Sequence, residues 1–333
     1  DTAVFRTQNV NTLGNSNAND AVYVKTGTSS GDTINIATVN LATTFNTPSA
    51  FGSTPYNSKA VRYSITWGEG GNDTITSKDS VTDIIEGGPG DDSIIMSSPG
   101  TNERDTYIGD AGNDTLTGTG AADHFGWHTT NYTAAEGNMF TVTNASILGS
   151  AGSASTIANG AQLRSFHSGM EIVDGGAGND TFYFGGGQAT AVTVVGGAGN
   201  DIFSFGANTS NTGVTVKDFV TANDALNFSA SGGYNVGNNS GFVLVYGTVS
   251  SGTTFTMDGT AKGKDQGGNT VNSGALSGSS VDVWYYDLTS KKLYYDADHD
   301  QNVDDAVTVA QLTDNGGNAL TASEFLYSDI VYV

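Results

Sequence analysis

Apolar positions along this chain recur in short runs that alternate with polar positions, as in Ala191-Val-Thr-Val-Val195 and Phe242-Val-Leu-Val-Tyr246. The runs are rich in β-branched and aromatic residues and are bounded by Gly, Asn and Asp, which is typical of short β-strands joined by tight turns. The one helical signal is Thr321-Ala-Ser-Glu324, which has the spacing of a capping box and predicts a short helix through Phe325 and Leu326. The pattern as a whole predicts an all-β fold.

A nine-residue unit of the form Gly-Gly-x-Gly-x-Asp-x-apolar-x repeats within this pattern. The best copies are Gly175-Gly-Ala-Gly-Asn-Asp180-Thr-Phe182, Gly196-Gly-Ala-Gly-Asn-Asp201-Ile-Phe203 and Gly87-Gly-Pro-Gly-Asp-Asp92-Ser-Ile94. Two copies depart slightly from it, Gly68-Glu-Gly-Gly-Asn-Asp73-Thr-Ile75 and Gly109-Asp-Ala-Gly-Asn-Asp114-Thr-Leu116. The unit resembles the calcium-binding nonapeptide repeat of RTX proteins, and the resemblance covers residues 61–130 and 171–230.

The resemblance implies a parallel β-roll or β-helix, in which two nonapeptides form one coil and a calcium ion lies between turns about 18 residues apart. The repeat aspartates fit one edge of such a roll, because Asp73 and Asp92 are 19 residues apart and Asp180 and Asp201 are 21 apart. On the opposite edge, Asp83, Asp105 and Asp123 keep the Asp-x-apolar half of the unit but lack most of its glycines. We therefore expect calcium along one edge, about one ion per coil, and ordinary turns along the other.

The residue types in the unit suit a hard cation. Ca²⁺ takes six to eight oxygen ligands, and glycine allows the positive φ angles that turn backbone carbonyls inward while the aspartate supplies charge. The expected ligands are Gly68, Gly70, Asp73, Gly87, Gly88, Gly90, Asp92, Gly109, Gly112, Asp114, Asp123, Gly175, Gly176, Gly178, Asp180, Gly196, Gly197, Gly199, Asp201, Asp218, Asp224, Asp296, Asp298 and Asp300. Because each ion would link two coils, we expect calcium removal to unfold at least residues 171–230.

Composition agrees with a cation as the partner. The 333 residues contain 34 acidic and 12 basic side chains, for a net charge of −22, so nucleic acid and anionic membrane surfaces would be repelled. The absence of Cys excludes disulfides and thiolate zinc sites. No apolar run is long enough for a membrane-spanning helix.

Beyond the second repeat block, Asp218 and Asp224 lie in segments that resemble the end of an RTX roll and would close the last site. Further on, Asp296, Asp298, Asp300, Asn302 and Asp304 alternate with the ligand spacing of an EF-hand loop. Gln301 and Val307 stand where that loop needs Gly and Glu. The alternative is an acidic turn of a β-hairpin.

The two ends of the sequence carry expectations about export. Asp329-Ile-Val-Tyr-Val333 resembles the C-terminal signal of type I secretion substrates, and a final edge strand is the alternative. The chain begins at Asp1 without a basic-then-apolar signal segment. We expect that an upstream part was removed or lies outside this sequence.

Catalytic patterns are incomplete. The zinc-protease signature His-Glu-x-x-His is absent, and the pair His124 and His128 falls in strand territory with Gly126 between them. Gly27-Thr-Ser29-Ser-Gly31 fits Gly-x-Ser-x-Gly, but the continuation Gly31-Asp32-Thr-Ile34 fits better as an altered repeat turn that leads into a strand. We predict no catalytic residues and no enzymatic activity.

The predicted organisation is an N-terminal β segment (1–60), a first calcium roll (61–130), an insertion (131–170), a second roll (171–230) and a C-terminal β region (231–333). The predicted function is a secreted, calcium-stabilised structural protein of the bacterial surface that assembles with copies of itself into an S-layer, sheath or matrix fibre. The alternatives are a glycan- or cell-binding module of an RTX adhesin and the C-terminal RTX part of a secreted hydrolase.

Overall fold

The computed structural model describes residues 21–37, 61–78, 82–97, 105–127, 165–184, 191–206, 210–228, 233–234, 242–249, 255–257, 263–265, 270–271, 282–296, 306–321 and 323–332. The chain divides into two compact units. Unit 1 contains Asp1–Leu148 and Ala154–Val173, and unit 2 contains Gly149–Ser153 and Asp174–Val333.

The strands of unit 1 are β1 (Ala21–Thr28), β2 (Thr33–Asn35), β3 (Val61–Glu69), β4 (Thr74–Thr76), β5 (Thr82–Pro89), β6 (Ser93–Ile95), β7 (Asp105–Ala111), β8 (Thr115–Thr117), β9 (His124–Trp127) and β10 (Ser165–Ser168). The next strand, β11 (Ile172–Asp174), spans the boundary between the units in the sequence.

The strands of unit 2 are β12 (Thr181–Phe184), β13 (Val192–Val195), β14 (Ile202–Phe205), β15 (Val214–Val216), β16 (Ala225–Phe228), β17 (Phe242–Val249), β18 (Phe255–Met257), β19 (Gly263–Asp265), β20 (Thr270–Val271), β21 (Asp282–Asp287), β22 (Lys292–Asp296), β23 (Val307–Leu312) and β24 (Ile330–Tyr332). A 3₁₀-helix covers Tyr327–Asp329.

Unit 1 is a parallel β-roll. Its odd-numbered strands β1, β3, β5 and β7 lie side by side in one sheet, and β2, β4, β6 and β8 lie side by side in another. The register places the apolar residue of each nonapeptide in one buried column, with Ile75, Ile94 and Leu116 stacked in successive coils. Burial of such a side chain contributes about 1.5–3 kcal/mol. One coil buries few of them, so the coils need their neighbours.

One coil of unit 1 is assembled from distant parts of the sequence. Strand β10 lies between β7 and β9 and pairs in parallel with both, with Ser165 opposite Asp105 on one side and Phe125 on the other. Strand β10 falls inside the segment 131–170 that the sequence predicts to be an insertion. The chain therefore re-enters the roll before that segment ends.

Unit 2 begins as the same kind of roll and then changes. Strands β12, β14, β16 and β24 are parallel neighbours, and β13, β15 and β23 form the facing parallel set. Its core contains stacked aromatic rings, with Phe182 on Phe203 at 5.1 Å and Phe184 on Phe205 at 4.9 Å between ring centroids. After β23 the second sheet continues through antiparallel pairs with β22 and β21, and β21 pairs in parallel with β17.

The all-β parallel roll predicted from the sequence is confirmed. The predicted helix through Phe325 and Leu326 is wrong: Thr321 N donates to the Glu324 carboxylate, as in a capping box, but residues 323–325 form a turn. The C-terminal segment forms strand β24, whose Ile330 pairs with Leu226 of β16. The part of the chain that the structure describes contains no helix long and apolar enough to cross a bilayer.

Candidate metal centre

The glycine-rich turns place their backbone in conformations that side chains disfavour. The second position of the nonapeptide has φ between 77° and 99° in Glu69, Gly88, Asp110, Gly176 and Gly197. The fourth position also has positive φ, in Gly71, Gly90, Gly112, Gly178 and Gly199. These angles explain the glycines in the unit, because only glycine adopts them without cost. At the third position, Gly70 has negative φ.

The repeat aspartates form a ladder along one edge of each unit, which we call the glycine-rich edge. In unit 1 the Asp32 amide donates to Asp73 Oδ1 at 2.6 Å, and the Asp73 and Asp92 amides donate to Oδ1 of the next aspartate, Asp92 and Asp114 respectively, at 2.8 Å. In unit 2 the Asp180 amide donates to Asp201 Oδ1 at 2.8 Å. One carboxylate oxygen of each aspartate thus fixes the spacing of the coils.

The second carboxylate oxygen lies buried inside the turn. Asp73, Asp92, Asp114 and Asp201 are between 0% and 2% exposed, and within the described residues their Oδ2 atoms accept no hydrogen bond. A buried charged oxygen without a donor is costly unless a cation satisfies it.

The first glycine of each turn lies directly beneath that oxygen. A Cβ added to Gly68 would touch both Asp73 Oδ2 and the carbonyl oxygen of Gly87 in the next coil. A Cβ on Gly175 would lie 2.5 Å from Asp180 Oδ2 and 2.6 Å from the Gly196 carbonyl oxygen. A carboxylate oxygen of one coil and a carbonyl oxygen of the next therefore converge on one small space. Gly87 and Gly196 likewise lie against Oδ2 of Asp92 and Asp201.

Burial raises the pKa of these carboxyl groups. The pKa values of Asp73, Asp92 and Asp201 are raised mainly because burial disfavours the charged form, and that of Asp114 is raised to about 6 for the same reason. Backbone amides oppose the shift, and neighbouring carboxylates add to it. The charged form of these carboxyl groups is therefore unfavourable without a counter-charge. A bound cation would supply that charge.

The donor set fits calcium. All converging atoms are carboxylate or carbonyl oxygens, which hard cations prefer. The described residues contain no group of three acidic or histidine side chains suited to a metal, so backbone carbonyls must complete any such cage. The glycine-rich turns supply those carbonyls.

A family model of the RTX calcium-binding nonapeptide repeat matches the chain at residues 79–95, 99–125, 172–191 and 189–209. The chain carries the RTX calcium-binding repeat. These repeats bind calcium ions, and the matched segments contain the turns that end at Asp92, Asp114, Asp180 and Asp201. The Asp73 turn lies outside the matches but has the same ladder and glycine contact. No curated protein matches the chain.

The opposite edge of unit 1 satisfies its carboxylates in another way. Asp83 accepts hydrogen bonds from the Ser64 hydroxyl and, at 2.7 Å, from the Lys78 amide. Asp105 accepts the Asp83 amide at 2.8 Å and the Tyr107 hydroxyl at 3.2 Å. Both aspartates are buried, yet donors from the protein reach both of their oxygens. This agrees with ordinary turns on this edge.

At two further turns, a threonine donates hydrogen bonds to the aspartate carboxylate. Thr119 donates its amide and hydroxyl to Asp123 Oδ2 at 2.7 and 2.9 Å. Thr28 donates in the same way to Asp32 Oδ2 at 2.6 and 2.8 Å. The segment around Ser29 is thus an altered repeat turn, as the sequence predicts. The calcium role of Asp123 stays a prediction, with its Oδ2 engaged by Thr119.

At the end of the unit 2 roll, Asp218 and Asp224 contact the Asp201 turn. Asp218 accepts the Gly196 and Gly197 amides at 2.7 and 2.9 Å. Asp224 accepts the Asp201 amide at 3.0 Å and the Val220 amide at 2.7 Å, and burial raises its pKa to about 6. Both residues lie where the sequence places them, beside the last repeat turn.

The acidic run in the C-terminal region is described only at its start. Asp296 is buried at the end of β22 and accepts the Tyr285 hydroxyl at 3.0 Å. Asp298 and Asp300 lie outside the described residues. The choice between an EF-hand-like site and an acidic hairpin turn therefore stays open as a prediction.

Two members of the ladder lie outside the five copies of the nonapeptide. Asp32 begins it in the first coil, and Glu171 ends it in unit 1 by accepting the Asp114 amide at 2.8 Å. At the fifth position Asn and Asp form a further ladder on the surface, in which Asn72 accepts from Asp91 and Asp91 accepts from Asn113. The recurrent Asn-Asp pair in the sequence signals this second ladder.

Proposed function

We propose that the protein is a secreted, calcium-stabilised structural protein of the bacterial cell surface that assembles with copies of itself into an S-layer, sheath or matrix fibre. The observation that carries the proposal is the aspartate ladder, in which buried Oδ2 atoms and glycine carbonyls are arranged so that calcium can cross-link successive coils. A scaffold of this kind gains its rigidity from the medium outside the cell, since extracellular calcium modules bind at about 10⁻⁴–10⁻³ M.

The surface charge of unit 1 supports contacts between copies. Glu69, Asp91 and Asp110 are exposed on the glycine-rich turns, and the whole chain carries a net charge of −22. Such edges repel one another without cations. Calcium that bridges exposed carboxylates of two copies would turn this repulsion into adhesion.

The proposal includes export by type I secretion and assigns no enzymatic activity. Calcium-dependent turns suit export, because the ladder would stay unfolded in a calcium-poor cytoplasm and fold outside. No complete set of catalytic residues appears in the sequence, and Ser29 lies in an exposed turn.

The test is a calcium titration of the purified chain from excess chelator to a few millimolar, followed by light scattering and electron microscopy. The proposal predicts ordered sheets or filaments that appear as calcium rises. A folded chain that stays monomeric would contradict assembly, and a glycan-binding screen would then test the adhesin alternative. Hydrolysis that requires an upstream part of the chain would favour the alternative of a secreted hydrolase.

A matched pair of variants separates folding from assembly. The triple variant Glu69→Gln, Asp91→Asn, Asp110→Asn removes exposed charge but keeps side-chain acceptors, so it should fold with calcium and scatter less light than the unmodified chain. Glu324→Gln removes an exposed carboxylate outside the glycine-rich turns and should assemble normally. Equal assembly by both variants would exclude this edge as the contact.

A further inference from the structure

The last turn of the unit 1 ladder stacks on a segment that is not a nonapeptide repeat. The Asp114 amide donates to Glu171 Oε2 at 2.8 Å, and the amides of Glu171 and Ile172 donate back to the Asp114 carbonyl at 3.1 and 3.0 Å. Glu171 is 57 residues beyond Asp114 in the sequence. The segment that contains Gly169 and Glu171 lies outside every residue range matched by the repeat model.

The space between these two segments has the form of the repeat sites. A Cβ on Gly109 would touch the Gly169 carbonyl oxygen and lie 2.6 Å from Asp114 Oδ2. The same two kinds of oxygen meet at Gly175, where both partners belong to true repeats. Gly169 has φ of 63°, a left-handed conformation that serves here to place its carbonyl against Gly109.

The oxygen aimed into this space has no donor. Asp114 is fully buried, and within the described residues its Oδ2 accepts no hydrogen bond. The side chain therefore points an unsatisfied charge at the Gly169 carbonyl, and a cation between the two oxygens would satisfy it.

We propose that Gly109, Asp114, Gly169 and Glu171 form a calcium site whose second half is supplied by a non-repeat segment. The Gly169 carbonyl takes the place of a repeat carbonyl, and the Glu171 carboxylate takes the place of the next aspartate of the ladder. The inference rests on calcium binding by the repeats and is independent of assembly.

This site would fix the strand on which the chain re-enters the roll. Strand β10 leads directly into Gly169 and lies between β7 and β9. A calcium ion that joins Gly109 to Gly169 would therefore hold β10 against β7. The ion would add to the strand pairing that places β10 beside β7 and β9.

Hydrogen exchange of the full chain, read by mass spectrometry during a calcium titration, tests the proposal. In the unmodified chain, calcium should slow exchange in residues 165–172. Gly109→Ala fills the space and should abolish this slowing at calcium concentrations that still protect residues 82–95. The control is Gly120→Ala, whose added Cβ would meet no atom within 4 Å and should change nothing.

Glu171→Gln keeps an acceptor for the Asp114 amide but removes the charge. It should raise the calcium concentration for half-protection of residues 165–172 by about 10-fold, a typical cost of losing a group that supports a metal ligand. If Gly109→Ala unfolds unit 1, Glu171→Gln still tests whether a calcium ion binds at this site. Unchanged calcium dependence in Glu171→Gln, or protection of residues 165–172 that is equal with and without calcium, would overturn the proposal.

Discussion

Asp92 on the glycine-rich edge and Asp105 on the opposite edge of unit 1 make the same ladder bond, each accepting a backbone amide from the preceding coil at 2.8 Å. They differ in their other oxygen. Asp105 Oδ2 accepts the Tyr107 hydroxyl, whereas Asp92 Oδ2 lies against Gly87 without a donor. We therefore expect Asp92 to depend on a cation and Asp105 not to, because the neighbours of the two aspartates differ.

Replacing each of these aspartates by asparagine should change stability more than the other variants below. The ladder bond survives in both variants, so only the second oxygen is tested. Asp92→Asn should remove the stabilisation by one ion, about 3 kcal/mol at a calcium concentration 100 times the dissociation constant. Asp105→Asn should cost about 1–2 kcal/mol at any calcium concentration. The measurement is urea unfolding at two calcium concentrations. If calcium stabilised the two variants equally, Asp92 would not be a calcium ligand that Asp105 lacks, and the proposed difference between the edges would be wrong.

A smaller effect is expected in the dependence of folding stability on pH, and calcium should reverse its direction. The pKa of Asp114 in the folded chain is about 6, above the ordinary value of 3.8, so without calcium the folded state binds more protons than the unfolded state. This contribution to stability is complete below pH 3.8 and is lost as the pH rises through about 6.

In chelator, the strand signal in circular dichroism should therefore be stronger at pH 5 than at pH 7.5. In millimolar calcium the order should reverse, because protons compete with calcium for the same carboxylates. The same pH dependence with and without calcium would contradict a cation role for this edge.

The smallest effect tests the backbone of the glycine-rich turns. Asp110 has φ of 77° at a position where three other copies of the nonapeptide have Gly and one has Glu69, and Ala111 beside it has no such angle. Asp110→Gly should relieve strain and stabilise the calcium-bound chain by about 0.5–1 kcal/mol. Ala111→Gly should destabilise it by a similar amount through the entropy of the unfolded chain. Thermal unfolding would measure both, and a loss of stability in Asp110→Gly would argue against strain at this position.

Sequence spacing predicted the glycine-rich edge well, because the nonapeptide fixes which residues stack. The aspartate separations of 19 to 22 residues place Asp73, Asp92 and Asp114 in one ladder, as observed. Glycine at the second and fourth positions follows from the positive φ angles that these turns adopt.

The other features of the fold and the site could not be predicted, because they depend on contacts between residues that are far apart in the sequence or not regularly spaced. Glu171 reaches Asp114 across 57 residues, and no local pattern marks it. On the opposite edge, the donors to Asp83 and Asp123 come from different sequence offsets, so the spacing could not show that these carboxylates are satisfied. The turn at Thr321 forms the capping-box bond without an α-helix, since residues 323–325 form a turn and a short 3₁₀-helix, Tyr327–Asp329, leads into the strand that begins at Ile330.

The ladder contacts lead us to expect that calcium on the glycine-rich edge links successive coils within each roll. The most direct test is far-ultraviolet circular dichroism of the full chain in excess chelator and in millimolar calcium, with hydrogen exchange to locate the change. We expect loss of strand signal and of protection from exchange in at least residues 171–230 when calcium is removed, and recovery of both when calcium is added back. An unchanged spectrum and unchanged protection in excess chelator would contradict it.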